Sequence, residues 1–368
     1  MSSKKGKFST KDIKYMSLAL DLARSRHGLT GINPSVGCVI VKNDEIISIG
    51  QTGYNGRPHA ESNAIKNSNE DLEGSKIYIT LEPCNHYGKT PPCTQEIIKN
   101  KICEVFYSIE DIDTKVKGKS FKILKTRNIV VKKGLLKEKI KNFYKPYFFN
   151  RKFKIPYVTG KIAISKNNLI YSDKIKKITN IHSDKFTHFL RYKNDSLMIT
   201  YKTLNKDNPK LDCRLKNFNR FSPTRIILDN KLETKINSYI YKTSNKKNTI
   251  FIYFKAKSSR VNVFKNKGLL LIKCNLIKNR YFDLNLVLKK LYTAGCRNLL
   301  VEGGNELTKM MLKNNLFNEF YLFKGSKNIP KTSSYKDFNS FNILTQNYKT
   351  KSKINTKLGK DSITLYKR

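Results

Sequence analysis

Apolar residues recur at two periods along this chain. Ile13, Met16, Leu20 and Ala23 fall at helical spacing, with Thr10 placed to cap the helix and Gly28 to end it. A turn over 31–35 then feeds a β-branched run, 36–41, and Asn43-Asp44 reads as a hairpin turn into a second strand over 45–49. Residues 76–81 alternate as a strand and 105–109 form another, with short helices expected over 59–66 and 94–99. The stretch 132–154 is basic and carries Phe143, Tyr144, Tyr147, Phe148 and Phe149, punctuated by Pro146 and Pro156. It predicts a domain boundary near residue 150, with those rings packed between domains. Beyond it, strands are expected over 157–164, 197–200, 225–229, 249–254, 269–273 and 298–301, and helices over 284–294 and 305–313. Such alternation on both sides of the boundary predicts two α/β domains, 1–150 and 151–368, the first a sandwich around a mixed sheet.

The length of 368 residues agrees with two domains at roughly 150 residues each. No run approaches the ~18 uninterrupted apolar residues of a membrane span. Residues 1–7 are basic with no apolar run behind them, unlike a secretory signal. The expected setting is the cytoplasm, with no membrane partner. Seven Cys, an odd and scattered count, do not make a disulfide framework. Cys38 lies within the apolar run 36–41 and reads as a small core residue.

The net charge of +45 raises a nucleic-acid reading. Lysine supplies most of the cations, spread along the whole length among many Asn and Ile, and all three have A/T-rich codons. A nucleic-acid groove more often shows Arg clusters interleaved with aromatics on one element. Base composition therefore accounts for the charge, and no specific nucleic-acid partner is expected. Charge of this size still predicts salt-sensitive adhesion to polyanions and attraction of phosphorylated small substrates.

The densest chemistry lies between His59-Ala60-Glu61 and the string Leu81-Glu82-Pro83-Cys84-Asn85-His86-Tyr87-Gly88-Lys89-Thr90-Pro91-Pro92-Cys93. One imidazole and two thiols supply three zinc ligands, which leaves a fourth tetrahedral position for water that ionises near neutral pH. Zinc nucleobase deaminases take their ligands from a His-x-Glu followed by Pro-Cys, and the Glu carries the proton. His59, Cys84 and Cys93 are the expected ligands and Glu61 the expected acid/base. Residues two apart on a helix diverge by about 200°, which suits one ligand and one proton carrier. A helix start after Cys93 favours the thiolate form. The second Cys comes nine residues after the first rather than three, which excludes a simple tRNA or free-nucleoside deaminase.

The string resembles the bifunctional deaminase/reductase family of riboflavin biosynthesis, whose deaminase half carries Pro-Cys-x-His-x-Gly-(Lys/Arg)-Thr-Pro-Pro-Cys. Every fixed position from Pro83 to Cys93 matches. The resemblance implies a cytidine-deaminase-like α/β/α domain followed by a dihydrofolate-reductase-like α/β domain. It implies substrate contacts for Asn33, which precedes Pro34-Ser35-Val36-Gly37, and for His86 and Lys89, which are suited to a ribose phosphate. Alone, an Asn before Pro is more often a turn residue. Residues 111–120 resemble the family loop Asp-Pro-Asn-Pro-x-Val-x-Gly-x-Gly, but both prolines are missing and the last Gly is Ser120. A less rigid loop is expected.

In the second half, Val301-Glu302-Gly303-Gly304 runs from a strand into a helix, a place for a pyrophosphate on backbone N–H groups. In isolation two such glycines are more often a turn. By resemblance this corner binds NADPH, and Gly304, Asn305, Glu306, Leu307, Thr308, Lys309 and Met310 line the cofactor with Ala163, Lys177, Thr203 and Asp207. Arg191, Leu211, Arg214 and Glu302 are assigned to the phosphoribosyl substrate on the same basis. This half also departs from the family pattern. Ser165-Lys166-Asn167-Asn168 replaces Ser-Leu-Asp-Gly, and Thr200-Tyr201-Lys202-Thr203 replaces Gly-x-Gly-Thr. Side chains then stand where a backbone approaches a ligand.

The expected activity is zinc-dependent hydrolytic deamination of 2,5-diamino-6-(5-phosphoribosylamino)pyrimidin-4(3H)-one, followed by NADPH-dependent reduction of the ribosyl group to ribityl. Two alternatives stand beside it: a deaminase whose second domain is only a scaffold, and a nucleic-acid deaminase. The last accounts poorly for the 301–307 corner. A homo-oligomer is compatible with the sequence.

Overall fold

The structure is a computed structural model that describes residues 8–88, 90–173, 175 and 177–368; the basic stretch 1–7 and Lys89 lie outside the described residues. The chain divides into two units, Met1–Phe153 and Lys154–Arg368.

The first unit begins with helix α1 (Thr10–Ser25), whose N-cap is Ser9 rather than the expected Thr10. Ser9 and Asp12 form a capping box, each side chain taking the other's backbone N–H. A hairpin follows, β1 (Gly37–Lys42) and β2 (Glu45–Gln51). Asn43 (φ 52°) and Asp44 (φ 66°) turn it with the positive φ values a two-residue loop demands. Then come α2 (Ala60–Lys66), β3 (Lys76–Leu81), α3 (Cys93–Lys99), β4 (Glu104–Ile109), α4 (Lys119–Lys125), β5 (Val130–Lys133) and α5 (Lys137–Phe153). The sheet order is β2-β1-β3-β4-β5. The hairpin pairs antiparallel, and β3, β4 and β5 run parallel. Parallel strands require helical crossovers, so α3 and α4 lie between them in sequence.

Residue 150 and Pro146 both lie inside α5, and the two units divide where that helix ends. Tyr144 is buried, donates its hydroxyl to the Ser35 carbonyl (2.8 Å) and sits 2.7 Å from Thr80 Oγ1. Phe143, Tyr144, Tyr147 and Phe148 pack into the first unit's own apolar core.

The second unit carries β6 (Tyr157–Ile164), β7 (Leu169–Ser172), α6 (Ile181–Lys193), β8 (Ser196–Thr200), α7 (Tyr201–Asp207), β9 (Thr224–Leu228), α8 (Tyr239–Thr243), β10 (Thr249–Tyr253), α9 (Ser258–Asn266) and β11 (Leu270–Lys273). A small hairpin, β12 (Leu276–Ile277) and β13 (Tyr281–Phe282), leads to α10 (Leu284–Thr293), β14 (Asn298–Val301), α11 (Asn305–Lys313) and β15 (Glu319–Lys324). The chain closes with β16 (Tyr335–Asp337), α12 (Phe341–Asn347), β17 (Thr350–Lys353) and β18 (Ser362–Lys367). The main sheet has nine strands in the order β11-β10-β9-β8-β14-β6-β15-β18-β17. It is parallel from β11 to β15, and β18 and β17 pair antiparallel. Helices on its two faces enclose two apolar clusters. No helix among the described residues is long and apolar enough to cross a membrane.

Candidate metal centre and cofactor pocket

In the first unit the chemistry gathers at the carboxyl end of β3 and the amino ends of α2 and α3. His59 is not on a helix. It is the extended residue (φ −69°, ψ 158°) just before α2, and Glu61 lies in the first turn. That bend, rather than a helical rotation, separates the two side chains. Cys84 leaves the end of β3 in a loop, and Cys93 opens α3. The Cys93 N–H points at Cys84 Sγ (3.3 Å) and the Thr94 N–H at the Cys84 carbonyl (3.1 Å). The amino end of α3 thus donates to the Cys84 sulfur and fixes the Cys84 backbone.

His59 Nδ1 stands 3.3 Å from Cys93 Sγ and 3.5 Å from Cys84 Sγ. The three ligand atoms lie within 4.8 Å of one another, and among the described residues no other group of ligating side chains does so. Zinc bonds of about 2.0–2.3 Å bring two tetrahedral ligands to roughly 3.5 Å of each other, so this nitrogen and these two sulfurs fit the ion. Without metal, the Cys93 hydrogen bond and the neighbouring imidazole hold the Cys84 thiol down at about 4, although burial opposes them. Cys93 is pushed well above its ordinary range by that shared hydrogen bond and by burial. Glu61 is only 4 % exposed, and burial raises its carboxyl to about 7 against the pull of His59. A carboxyl poised there can both take and give a proton at neutral pH.

Two of the other expected contacts, Asn33 and His86, are among the described residues. Asn33 donates its side-chain amide to the Gly56 carbonyl at 3.0 Å, and His86 is exposed. Arg57 was not expected; it hydrogen bonds Thr90 through its guanidinium.

In the second unit a cavity of about 470 Å³ opens at the carboxyl ends of β6, β8 and β14. Ligands bind at such ends of open parallel sheets, where crossovers diverge. Its wall holds Ala163, Lys177, Thr203, Asp207, Gly304 and Asn305 from the expected cofactor set, and Arg191, Leu211 and Glu302 from the expected substrate set. Arg191 and Glu302 form a bidentate pair, 2.8 Å at both contacts, that is largely buried. Burial pushes the Glu302 carboxyl up, but Arg191 outweighs it and the net shift is down. A Cβ on Gly304 would meet only Thr203 Oγ1, at 3.8 Å, so the backbone there is open to the cavity. With the first-turn amides of α11 beside it, this corner suits the phosphates of a dinucleotide.

Five further residues of the expected cofactor stretch, Glu306, Leu307, Thr308, Lys309 and Met310, do not line the cavity. Leu307 and Thr308 face the core, and Met310 borders a separate cavity against Tyr281 and Phe282. Arg214 is also outside it, paired with Asp212 at 3.0 Å. Lys161, Lys202 and Lys206 are in the wall without having been among the expected site residues. So is a support behind it: His188 Nδ1 lies 3.3 Å from the Arg214 N–H and 3.2 Å from the Asp212 carbonyl.

Comparison with known proteins agrees with both sites. Residues 9–109 match the cytidine and deoxycytidylate deaminase zinc-binding region, and residues 157–331 match the RibD C-terminal domain. The riboflavin biosynthesis protein RibD of Aquifex aeolicus is 32% identical over 359 residues, which is 97% of this chain and 98% of its own. This chain belongs to the RibD family of riboflavin biosynthesis proteins. The Buchnera aphidicola RibD is 33% identical, with 86% of this chain and 87% of its own covered. Among solved structures, RibD of Acinetobacter baumannii superposes with a TM-score of 0.83 at 25% identity, covering 97% of this chain and 98% of its own. A diaminohydroxyphosphoribosylaminopyrimidine deaminase/5-amino-6-(5-phosphoribosylamino)uracil reductase of Thermotoga maritima gives 0.81 at 26% identity, with the same coverage. The chain is a bifunctional deaminase and reductase that uses zinc in its first half and NADPH in its second.

Its departures from the RibD-family pattern have visible structural answers. Asn168 takes the positive φ (64°) at the β6–β7 turn where the family has Gly, a conformation Asn tolerates. Ser165 closes that turn through its hydroxyl, which accepts from the Leu169 N–H at 2.9 Å. Thr200 caps α7 with its side chain, and Lys202 stands exposed in the cavity wall.

Proposed function

We propose that the first unit deaminates 2,5-diamino-6-(5-phosphoribosylamino)pyrimidin-4(3H)-one and the second reduces the ribosyl group of the product to ribityl. The single observation that carries this reading is the convergence of His59, Cys84 and Cys93 on one point beside the buried Glu61. The three side chains hold zinc, which when bound supplies the Lewis acidity that activates the attacking water. Glu61 takes one proton from the water and gives it to the ring nitrogen as the oxygen adds to the ring carbon. It then carries the adduct's hydroxyl proton to the amino group, which leaves as ammonia while the carbonyl forms. Asn33, His86 and Lys89 contact the pyrimidine and its ribose phosphate; these roles rest on resemblance alone.

In the second unit NADPH supplies the hydride when bound. Gly304 and the first turn of α11 receive its phosphates, with Ala163, Thr203, Asp207 and Lys177 around it. The buried Arg191–Glu302 pair and Leu211 orient the sugar chain of the substrate, and Arg214 stays nearby on the same loop as Asp212. We place the enzyme in the cytoplasm, acting on a free phosphoribosylated pyrimidine and not on nucleic acid.

The test is sequential. Supplied with the diaminopyrimidine, the purified protein releases one ammonia per substrate; supplied with the deaminated product, it oxidises NADPH. Ammonia release without NADPH oxidation would leave the second unit a scaffold. Release from single-stranded DNA or RNA, and none from the free pyrimidine, would overturn the substrate assignment.

A further inference from the structure

Cys84 is useful as a ligand only if its backbone is held still, and the holding comes from an unexpected place. Glu82, two residues earlier at the end of β3, carries a buried carboxylate. It accepts from three N–H groups of a single loop: Asp111 (3.3 Å), Gly118 (3.0 Å) and Ser120 (3.2 Å). Ser120 is fully buried at the start of α4, and its hydroxyl donates to the Pro83 carbonyl at 2.6 Å. On the other side of Cys84, Asn85 donates its side-chain amide to the Val116 carbonyl at 3.3 Å. The 111–120 loop is thus fastened to the chain immediately before and immediately after Cys84.

We propose that Ser120 is a positioning residue for the deaminase centre, whose hydroxyl, together with the Glu82 carboxylate, makes the 111–120 loop and the Cys84 segment one rigid piece. The inference rests on reading Cys84 as a zinc ligand. Ile112 and Thr114 stand where the family loop has prolines, so this loop has regained backbone freedom that a fixed φ removes. Ser120 stands where the family has Gly, and a glycine brings no hydroxyl to the Pro83 carbonyl. A buried side-chain hydrogen bond here supplies the constraint that proline rings supply there.

The experiment uses full-length zinc-loaded enzyme carrying Ser120→Ala, with Ser120→Gly as a second variant because glycine is the family residue. Zinc transfer to excess chelator and amide exchange along the chain are followed together. Transfer should quicken by about fivefold, as for one lost neutral hydrogen bond. Amides of 111–118 should exchange faster while those of β4 keep the parent rate. Adding Thr114→Pro to Ser120→Ala should return both readouts toward the parent. Parent-like transfer and exchange in both single variants would overturn the proposal. Equal acceleration across β3, β4 and the loop would do the same, since Ser120 would then be a general stability residue. A failed rescue by Thr114→Pro counts against the exchange of roles with proline. Retention of a full zinc equivalent by Cys84→Ala would instead refute the ligand reading, and amide exchange repeated on metal-free protein would judge the Ser120 tie separately.

Discussion

Glu61 and Cys93 interact, yet their losses should look different. Glu61 sits beside the putting together of three ligand atoms without being one of them, so Glu61→Gln should keep stoichiometric zinc. Ammonia release should fall by about 10²–10⁴-fold, the usual worth of a positioned acid/base. Near-parent turnover in that variant would take Glu61 out of its role. Cys93→Ser removes a thiolate from a three-ligand set, and the variant should emerge from purification with little zinc; a full equivalent by metal analysis would show the assignment wrong. These roles were legible in the residues because ligand chemistry admits few side chains and the chain places all of them within a short stretch. The supports were not. Glu82, Ser120 and His188 act through hydrogen bonds to backbone groups far away in sequence, and no local pattern announces such a partner.

At the scale of elements, the centre depends on how closely α2 lies on β2. A Cβ at Gly50 would stand 2.1 Å from the Ala60 carbonyl oxygen and 2.5 Å from the Ala64 nitrogen. Both are backbone atoms of the helix that follows His59 and carries Glu61, so they yield only if the helix shifts. Gly50→Ala should cost about 1–3 kcal/mol, the usual range for overpacking, and should lower deaminase turnover as α2 is displaced. Thermal melts and ammonia release measured together check this; a parent-like melting point would mean the helix gives way freely. Periodicity revealed the strands with strong apolar alternation, such as β3 and β6. It could not reveal β17, whose residues Thr350–Lys353 are all exposed. That strand exists because β18 offers it backbone partners, and its lysines suit a sheet edge. Pro146 misled for the opposite reason: burial of Ile140 and Tyr144 outweighs the hydrogen bond a helical proline forgoes.

For the whole molecule, each unit has its own apolar core and its own site. Zinc removal should therefore act on one reaction only. Dialysis against a strong chelator should abolish ammonia release and leave NADPH oxidation with the deaminated pyrimidine close to the parent rate. Loss of both activities would mean that the reductase depends on the metal centre. The charge of +45 belongs to this scale too, and attraction of phosphorylated substrates through its long-range field should weaken as salt is raised.

The order of residues alone pointed to the two-part α/β plan, to His59, Cys84 and Cys93 as candidate ligands and to Glu61 as the candidate proton carrier, because apolar period and ligand chemistry are properties of short stretches. Tertiary structure decided the rest. It placed His59 before rather than on a helix, turned Tyr144 into the first core, set Leu307 and Thr308 inward, and paired Arg191 with Glu302 across more than a hundred residues. Those outcomes depend on which surfaces meet once the sheets close, and the spacing of residues along the chain carries no information about that meeting.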